Sequence, residues 1–541
     1  MFFFAVLILR LYYLQIISHT AFSKVADRQQ KLTIELDPKR GTIYDREMRI
    51  LALNLNADSV YAKPRRITNK QEVSKKIAAA LSMSEETVMK KIDRDKVFVW
   101  VKRKVSDEES EAIRDLAIDG IDLIQESKRF YPKEELACHV IGFAGTDNVG
   151  LEGIELKYDR YLKGKKGWIT SLKDGKKREL VSFQADYVPP RNGSSVIVTI
   201  DEVIQHIAER ELKKAFEKYK AKAASIVVMD PASGDILAIA NLPNYDLNNF
   251  YRAAVDALRN RAISDFYEPG SAFKVFTASA ALQEKVVSLE DVFFCEKGSY
   301  RVGRRVLHDH KPHGNLTFRE IIEKSSNIGT VKAASRLGDE KLFSYINQFG
   351  FYEKTGVDIP GEGYGINRDI SKWTRGSMLS IPMGQEVAAT ALQLAAALSC
   401  VVNGGNLMEP RIIREIIDER GIAVKRFRAK KKRTVISEDV SRKMRELLAG
   451  VVENGTGKRA AMSDYAAGGK TGTAQKADPT GGYSHRRYIA SFIGFAPVEA
   501  PRICIVVSVD EPHPIYYGGL VAAPVFKDVG EEVLRYLKVN P

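Results

Sequence analysis

Between Ser271 and Gln283 the chain reads SAFKVFTASAALQ, a run almost wholly apolar or small in which Lys274 is the only charge. A helix of this composition has no polar face to give to water, so other elements must enclose it on every side. It follows the turn Glu268-Pro269-Gly270, which sets its start at Ser271. Any fold adopted here must wrap a core around a helix that carries a lysine. At 541 residues the chain exceeds what one core usually supports, so two or three domains are expected.

Composition narrows the rest. Charged residues at 28% and hydrophobic residues at 44% suit folded domains and leave no room for extensive disorder. A net charge of +14 attracts anionic partners, which by charge alone could be nucleic acid, phospholipid or acidic wall polymer. The densest basic run, Lys425 to Arg433, lacks the aromatic series that stacks on bases, so it reads as a solvated hairpin or loop and nucleic acid is not expected. The four cysteines, Cys138, Cys295, Cys400 and Cys504, lie too far apart for a CxxC knuckle, and no metal is expected. Cys400 and Cys504 sit in apolar runs and read as buried free thiols.

Met1 to Ile17 is apolar apart from Arg10 and Gln15, but a helix of that length reaches only about 25 Å against a bilayer core of ~30 Å. With no preceding basic region and no clear cleavage site, residues 1–25 read as an uncleaved signal-anchor that lacks its start, with Arg10 near the outer interface. The competing reading is an amphipathic or buried N-terminal helix. Residues 26–190 mix helical and strand patterns without a catalytic one: Val97 to Val101 reads as a strand, Asp107 to Ile118 as an amphipathic helix, and the charges of Arg40 to Arg46 could brace a fold. Pro189-Pro190-Arg191-Asn192-Gly193 marks a boundary, after which a domain over 194–541 is expected. There, Ser225 to Met229 and Ile236 to Ala240 read as a hairpin, Ile489 to Phe495 and Ile503 to Val509 as strands, and Pro524 to Leu537 as a closing helix. Strands near both ends with helices between them predict an α+β layered architecture.

Three short elements carry chemistry. Ser271 and Lys274 share a helical face, so the amine can reach the hydroxyl, and burial disfavours its protonated form, as does the positive helix N-terminus. Ser-x-x-Lys occurs once, no more than chance provides, and alone could be a helix cap with a snorkelling lysine. Ser325-Ser326-Asn327 lies between segments of helical character and could present a hydroxyl beside a carboxamide, or be an ordinary cap. Lys470-Thr471-Gly472-Thr473, on an edge strand, could meet a carboxylate while Gly472 lets a ligand approach the backbone. Lys354-Thr355-Gly356 repeats the tripeptide, but leads into a turn before Pro360, so the later copy is favoured. Gly469-Lys470-Thr471 also ends a Walker-type loop, but Asp464 stands where that loop needs glycine.

Together SxxK, SxN and KTG in this order are the signature of serine penicillin-binding proteins and class A β-lactamases. The chain resembles the class B penicillin-binding proteins over nearly its whole length, particularly the division-septum (FtsI) type. Arg40-Gly41 through Asp45-Arg46 and Leu51-Ala52 resemble that family's N-terminal signature. Arg129-Phe130-Tyr131-Pro132, His139 to Phe143 and Gly150 to Glu155 resemble its pedestal motifs. Tyr516-Tyr517-Gly518-Gly519 with Ala522-Ala523-Pro524-Val525-Phe526 looks like the septal branch. Met48 departs from the pattern, standing where the family usually has glycine.

The resemblance implies a serine β-lactamase-like transpeptidase domain, an antiparallel sheet flanked by helices, on a non-catalytic pedestal or dimerisation domain, anchored in the cell membrane with the site facing the wall. By that analogy Ser271 attacks the bond between the terminal D-alanines of a stem peptide, Lys274 is the acylation base and Ser325 the proton relay. Asn327 would hold the donor amide, and Lys470, Thr471, Gly472 and Thr473 the terminal carboxylate. The backbone N–H groups of Ser271 and Thr473 would form the oxyanion hole. No cofactor is implied. Implied partners are peptidoglycan stem peptides, lipid-linked precursor strands, β-lactams, an FtsW-like glycosyltransferase of the SEDS type and other divisome membrane proteins. Alternatives are elongation or sporulation duty, a β-lactamase, which would need neither pedestal nor anchor, and a non-catalytic divisome scaffold, which would need none of the three motifs.

Overall fold

The structure, a computed structural model, describes residues 2–20, 22–23, 31–173, 179–365, 368–374, 376–478 and 481–540. Residues 1, 21 and 24–25 of the expected anchor lie outside these. The rest of it forms a helix Phe2–Tyr12 continued by a π-helical turn Tyr13–Ile17. Among the described residues no helix is long and apolar enough to cross a membrane.

The N-terminal half is built on the long strand Ile50–Ala62, which pairs with Ile121–Phe130 and, at its end, with Val99–Lys102. The helix read over Asp107 to Ile118 is Asp107–Leu116; it starts there because the Ser106 hydroxyl accepts from Glu109 N while the Glu109 carboxylate returns to Ser106 N. Val60, Ile77, Val88, Val101 and Ile113 close a small core of their own.

Three of the four motif segments of this half converge on one carboxylate. Glu155, fully buried, accepts from Arg40 Nε at 2.6 Å on one oxygen and from Arg129 Nε at 2.6 Å on the other. Arg40 also reaches Asp159 at 2.6 Å, and Arg129 Nη1 donates to Gly41 O at 2.7 Å. Each buried charge thus has an opposite partner and directed hydrogen bonds, and removing one partner would strand the others at a cost of about 3–5 kcal/mol. Gly150 is required here: a Cβ at that position would overlap the backbone of Glu155. The turn of the first signature survives its departure, since Met48 takes φ 65° and Asp45 Oδ1 accepts from Glu47 N and Arg49 N, each at 2.8 Å.

Past the double proline, Ser195–Val198 pairs in parallel with Ile43–Tyr44 and antiparallel with Ile413–Ile417, so one sheet stitches the N-terminal segment to the C-terminal half. The basic run Lys425 to Arg433 is not a hairpin. Ala423–Arg426 pairs with Ile413–Ile417 and Lys431–Thr434 with Asn406–Met408, so its two ends belong to different sheets. All four cysteines are buried free thiols.

The C-terminal half centres on five antiparallel strands, β1 (Ala223–Met229), β2 (Ile236–Leu242), β3 (Gly468–Ala477), β4 (Tyr483–Ala496) and β5 (Ile503–Asp510), in the order β2-β1-β5-β4-β3. β1 and β2 are the expected hairpin, and β3 is an edge. Alternate residues go to opposite faces: Ile226, Val228, Ile505 and Val507 join one core cluster, Val227, Met229, Cys504 and Val506 the other. Burial on both faces is why these strands read as unbroken apolar runs. Helices α1 (Glu202–Lys218) and α7 (Gly518–Tyr536) cover the first face. On the other lie α2 (Lys274–Gln283), α3 (Phe318–Glu323), α4 (Asn327–Leu337), α5 (Ala391–Val402) and α6 (Glu438–Glu453). α7 begins six positions before the proline expected to open it. A Cβ on Gly518 would overlap Gly472 O and Ser491 O, so packing against the sheet demands glycine at the helix start.

Candidate active site

Ser271 sits in a single 3-10 turn, Gly270–Phe273, and α2 proper starts at Lys274. The turn is held by packing on both sides. Phe273 and Phe276 lie 5.1 and 4.9 Å from the Phe351 ring in the core beneath. Above, Pro269 O and Ala272 Cβ would meet a Cβ on Gly472 at 2.8 and 3.3 Å. Gly472 is therefore a glycine because the serine turn packs on the edge strand, a more specific reason than the ligand approach expected from sequence. Gly270, at φ +53°, likewise faces Thr473 O. β3 and the serine turn are thus a fitted pair, and SxxK and KTG converge although nearly two hundred residues separate them.

The Lys274 side chain is fully buried. Its Nζ donates to Ser325 O at 2.7 Å and Asn327 Oδ1 at 2.7 Å, and lies 3.2 Å from Ser325 Oγ. The first two partners can only accept, whereas a hydroxyl can donate. A neutral amine has two N–H groups and one lone pair, so this arrangement can satisfy it in full and leave its basic pair facing the Ser325 hydroxyl. Desolvation pushes the Lys274 amine well below its ordinary range, the Lys470 charge pushes the same way, and Asp309 opposes both. No hydrogen bond joins Lys274 to Ser271 among the described residues; the amine is oriented by the second motif, and Ser271 stands one turn away.

Ser325 takes φ 59° after α3, which turns its hydroxyl and carbonyl toward the amine. Ser326 caps α4 through its hydroxyl, and Asn327 is the helix's first residue. Asn327 Nδ2 donates to His308 O at 2.9 Å, which fixes its Oδ1 toward Lys274.

Asp309 was not foreseen and organises this element. Its carboxylate accepts from Ser326 Oγ at 2.7 Å, Asn327 N at 2.5 Å and Ile328 N at 3.0 Å, pinning the N-terminus of α4. No local pattern ties position 309 to 326; the only available signal is the crowding of titratable side chains from His308 to Lys311.

Lys470 is also fully buried, and desolvation brings it down to about 7. Its Nζ donates to Thr471 O at 3.5 Å, a weak contact that leaves a cation here in need of an anion. Thr471 Oγ1 lies 3.0 Å from Thr456 Oγ1, and Thr473 Oγ1 accepts from Gly518 N at 3.1 Å. Ser271, Ser325, Asn327, Thr471 and Thr473 all line one cleft of about 630 Å³. Among the described residues no cluster of His, Cys, Asp or Glu could hold a metal. Lys354-Thr355-Gly356 lies in a loop elsewhere and does not join this site.

The chain is similar to known proteins over most of its length. Residues 224–531 match the family described as penicillin binding protein transpeptidase domain, and residues 35–198 the penicillin-binding protein dimerisation domain. The chain is 38% identical over 540 residues to stage V sporulation protein D of Bacillus subtilis (strain 168), covering 98% of this chain and 83% of that protein. It is 31% identical over 545 residues to the peptidoglycan D,D-transpeptidase FtsI of Escherichia coli (strain K12), covering 99% and 90%. The crystal structure of penicillin binding protein 3 from Mycobacterium tuberculosis, complexed with aztreonam, matches with a TM-score of 0.75 at 26% identity, covering 94% and 98%. With a dimerisation domain leading into a transpeptidase domain and relatives above 30% identity along almost the entire chain, this protein belongs to the class B penicillin-binding proteins and is a serine-type peptidoglycan D,D-transpeptidase.

Proposed function

We propose that Ser271 is the nucleophile and Lys274 its base. Oγ of Ser271 bonds to the carbonyl carbon of the penultimate D-alanine of a donor stem peptide, and its proton passes to Lys274 Nζ. The C–N bond to the last D-alanine breaks, and the proton returns through Ser325 to the leaving amine. A neighbouring stem's amine then attacks the ester carbon, gives up a proton along the same route, and restores the Ser271 hydroxyl. Lys470, Thr471 and Thr473 receive the donor's terminal carboxylate, Asn327 its amide, and the N–H groups of Ser271 and Thr473 the oxyanion. The observation that carries this reading is the fully buried Lys274 amine, held by two obligate acceptors with its remaining valence facing the Ser325 hydroxyl. A fluorescent penicillin should label the protein covalently and fail to label Ser271→Ala; equal labelling of both would remove the assignment.

The finer assignments are residues 1–25 as a membrane signal-anchor, 26–190 as the pedestal and 194–541 as the catalytic domain outside the cell membrane, working with a glycosyltransferase of the SEDS type in septal wall synthesis. The motif from Tyr516 to Phe526 supports the septal branch. Sporulation is the second reading, favoured by 38% identity to a sporulation protein against 31% to FtsI. A fluorescent fusion followed through division and sporulation separates them: mid-cell signal in dividing cells supports the septal role, and signal confined to sporulating cells supports the other.

A further inference from the structure

One wall of the cleft takes no part in the donor contacts proposed above. Immediately after His308, whose carbonyl holds the Asn327 carboxamide, the chain runs through Asp309, His310, Lys311 and His313, all of which line the cleft. Asp309 is the only carboxylate among the lining residues, and three hydrogen bonds tie it into the N-terminus of α4. Lys324, also lining, is paired with Glu320 at 2.7 Å. Lys311 is an exposed cation without an ion-pair or hydrogen-bond partner among the described residues, with an imidazole on either side of it. His310 rests its ring 5.8 Å from that of Tyr517 on the facing wall. The carboxylate of this stretch is thus turned into α4, and its one lysine, Lys311, is left as the cation unpartnered among the described residues at the cleft beside Ser325 and Asn327, separate from the buried Lys470 proposed to meet the donor carboxylate.

Its place relative to the proton relay gives it a role. In acyl transfer, the amine that attacks must come in where the amine that leaves went out, because the same group gives a proton to one and takes it from the other. The Ser325 side of the cleft is thus the acceptor side. The geometry points to His310, Lys311 and His313 as an acceptor subsite that binds an anionic stem peptide through a carboxylate remote from its attacking amine. This rests on the acyl-enzyme reading above and adds to it what selects the second substrate. An exposed cation at the mouth of a cleft acts chiefly by raising the local concentration of an anion, so its effect should weaken with salt.

The test separates the two half-reactions. The full-length protein is acylated with a fluorescent penicillin, and transfer from a donor stem peptide is followed separately to a synthetic acceptor stem peptide whose carboxylates are free or converted to primary amides. Lys311→Glu is expected to keep the acylation rate within about twofold and to lower kcat/KM for the free-carboxylate acceptor about tenfold, with the parent's salt dependence lost. Amidation of the acceptor should lower kcat/KM for the parent and make little further difference to the variant. Lys311→Gln, which removes the charge without reversing it, should fall between them. Unchanged acceptor kinetics, or an amidated acceptor used by the parent as well as the free one, would overturn the subsite. A variant slowed equally in acylation would overturn it too, by showing that the loop shapes the nucleophile. A parent that penicillin does not acylate at Ser271 would instead break the underlying acyl-enzyme reading.

Discussion

The chain contains the same tripeptide twice, and its two copies do opposite things. At Lys354-Thr355-Gly356 the lysine is exposed, with its Nζ 4.4 Å from the centre of the Tyr364 ring. The amides of Thr355 and Gly356 donate to the Glu362 carboxylate at 2.6 and 3.3 Å, and Gly356 takes φ +89°. That copy already wraps a carboxylate of its own chain. At Lys470-Thr471-Gly472 the lysine is fully buried with, among the described residues, only a 3.5 Å contact to Thr471 O, and the glycine packs on the serine turn. This copy lacks an anion and stands beside a nucleophile. A motif acquires function from what its neighbours leave unsatisfied.

The hardest test of that contrast is to truncate both lysines. Lys470→Ala should slow acylation by penicillin a hundredfold or more, the scale of about 3 kcal/mol or greater expected when a buried charge pair loses one member. Lys354→Ala should leave the rate within about twofold. Comparable losses from both would erase the distinction. The glycines give the next largest effect. In Gly472→Ala the new methyl would press on Pro269 O and Ser491 Oγ, so acylation should fall together with about 1–3 kcal/mol of stability. Gly356→Ala places a side chain at positive φ and should lose about 1–2 kcal/mol of stability with acylation intact, read by thermal melting beside labelling.

How far these differences were legible in sequence depends on the range of the forces involved. The Ser271 to Lys274 spacing and the apolar run after it were enough to foresee a buried lysine at a helix start, because both are local. The strands of the central sheet were readable since burial on two faces leaves continuous apolar runs. Other features rest on contacts between distant segments. Asp309 binds the N-terminus of α4 from a loop, the run 425–433 divides between two sheets, and Gly518 opens a helix only because β3 and β4 crowd it. Of the paired tripeptides, the proline after the first copy gave the distinction away, whereas the Glu362 carboxylate that satisfies it did not.

A smaller effect sharpens the same comparison through pH. The folded-state value of Lys470, about 7, lies below the ordinary lysine value, so between about pH 7 and 10.5 the unfolded chain holds a proton that the folded one lacks. Stability from this group therefore rises with pH across that window, by at most about 1.4 kcal/mol per pH unit. Lys470→Met should melt higher than the parent at pH 7 while losing activity, and its advantage should shrink toward pH 10.

Everything in the catalytic reading depends on Lys274 being neutral at working pH. The pH dependence of the second-order rate of penicillin acylation, which reports the ionisations of the free enzyme, measures this directly. Burial of the amine lowers its titration well below the ordinary lysine value of 10.5, so the rising limb should be complete, and the rate level or falling, before that value is reached. A rate still climbing about tenfold per pH unit up to the ordinary lysine value would mean that Lys274 is an ordinary ammonium, and would contradict its role as the base.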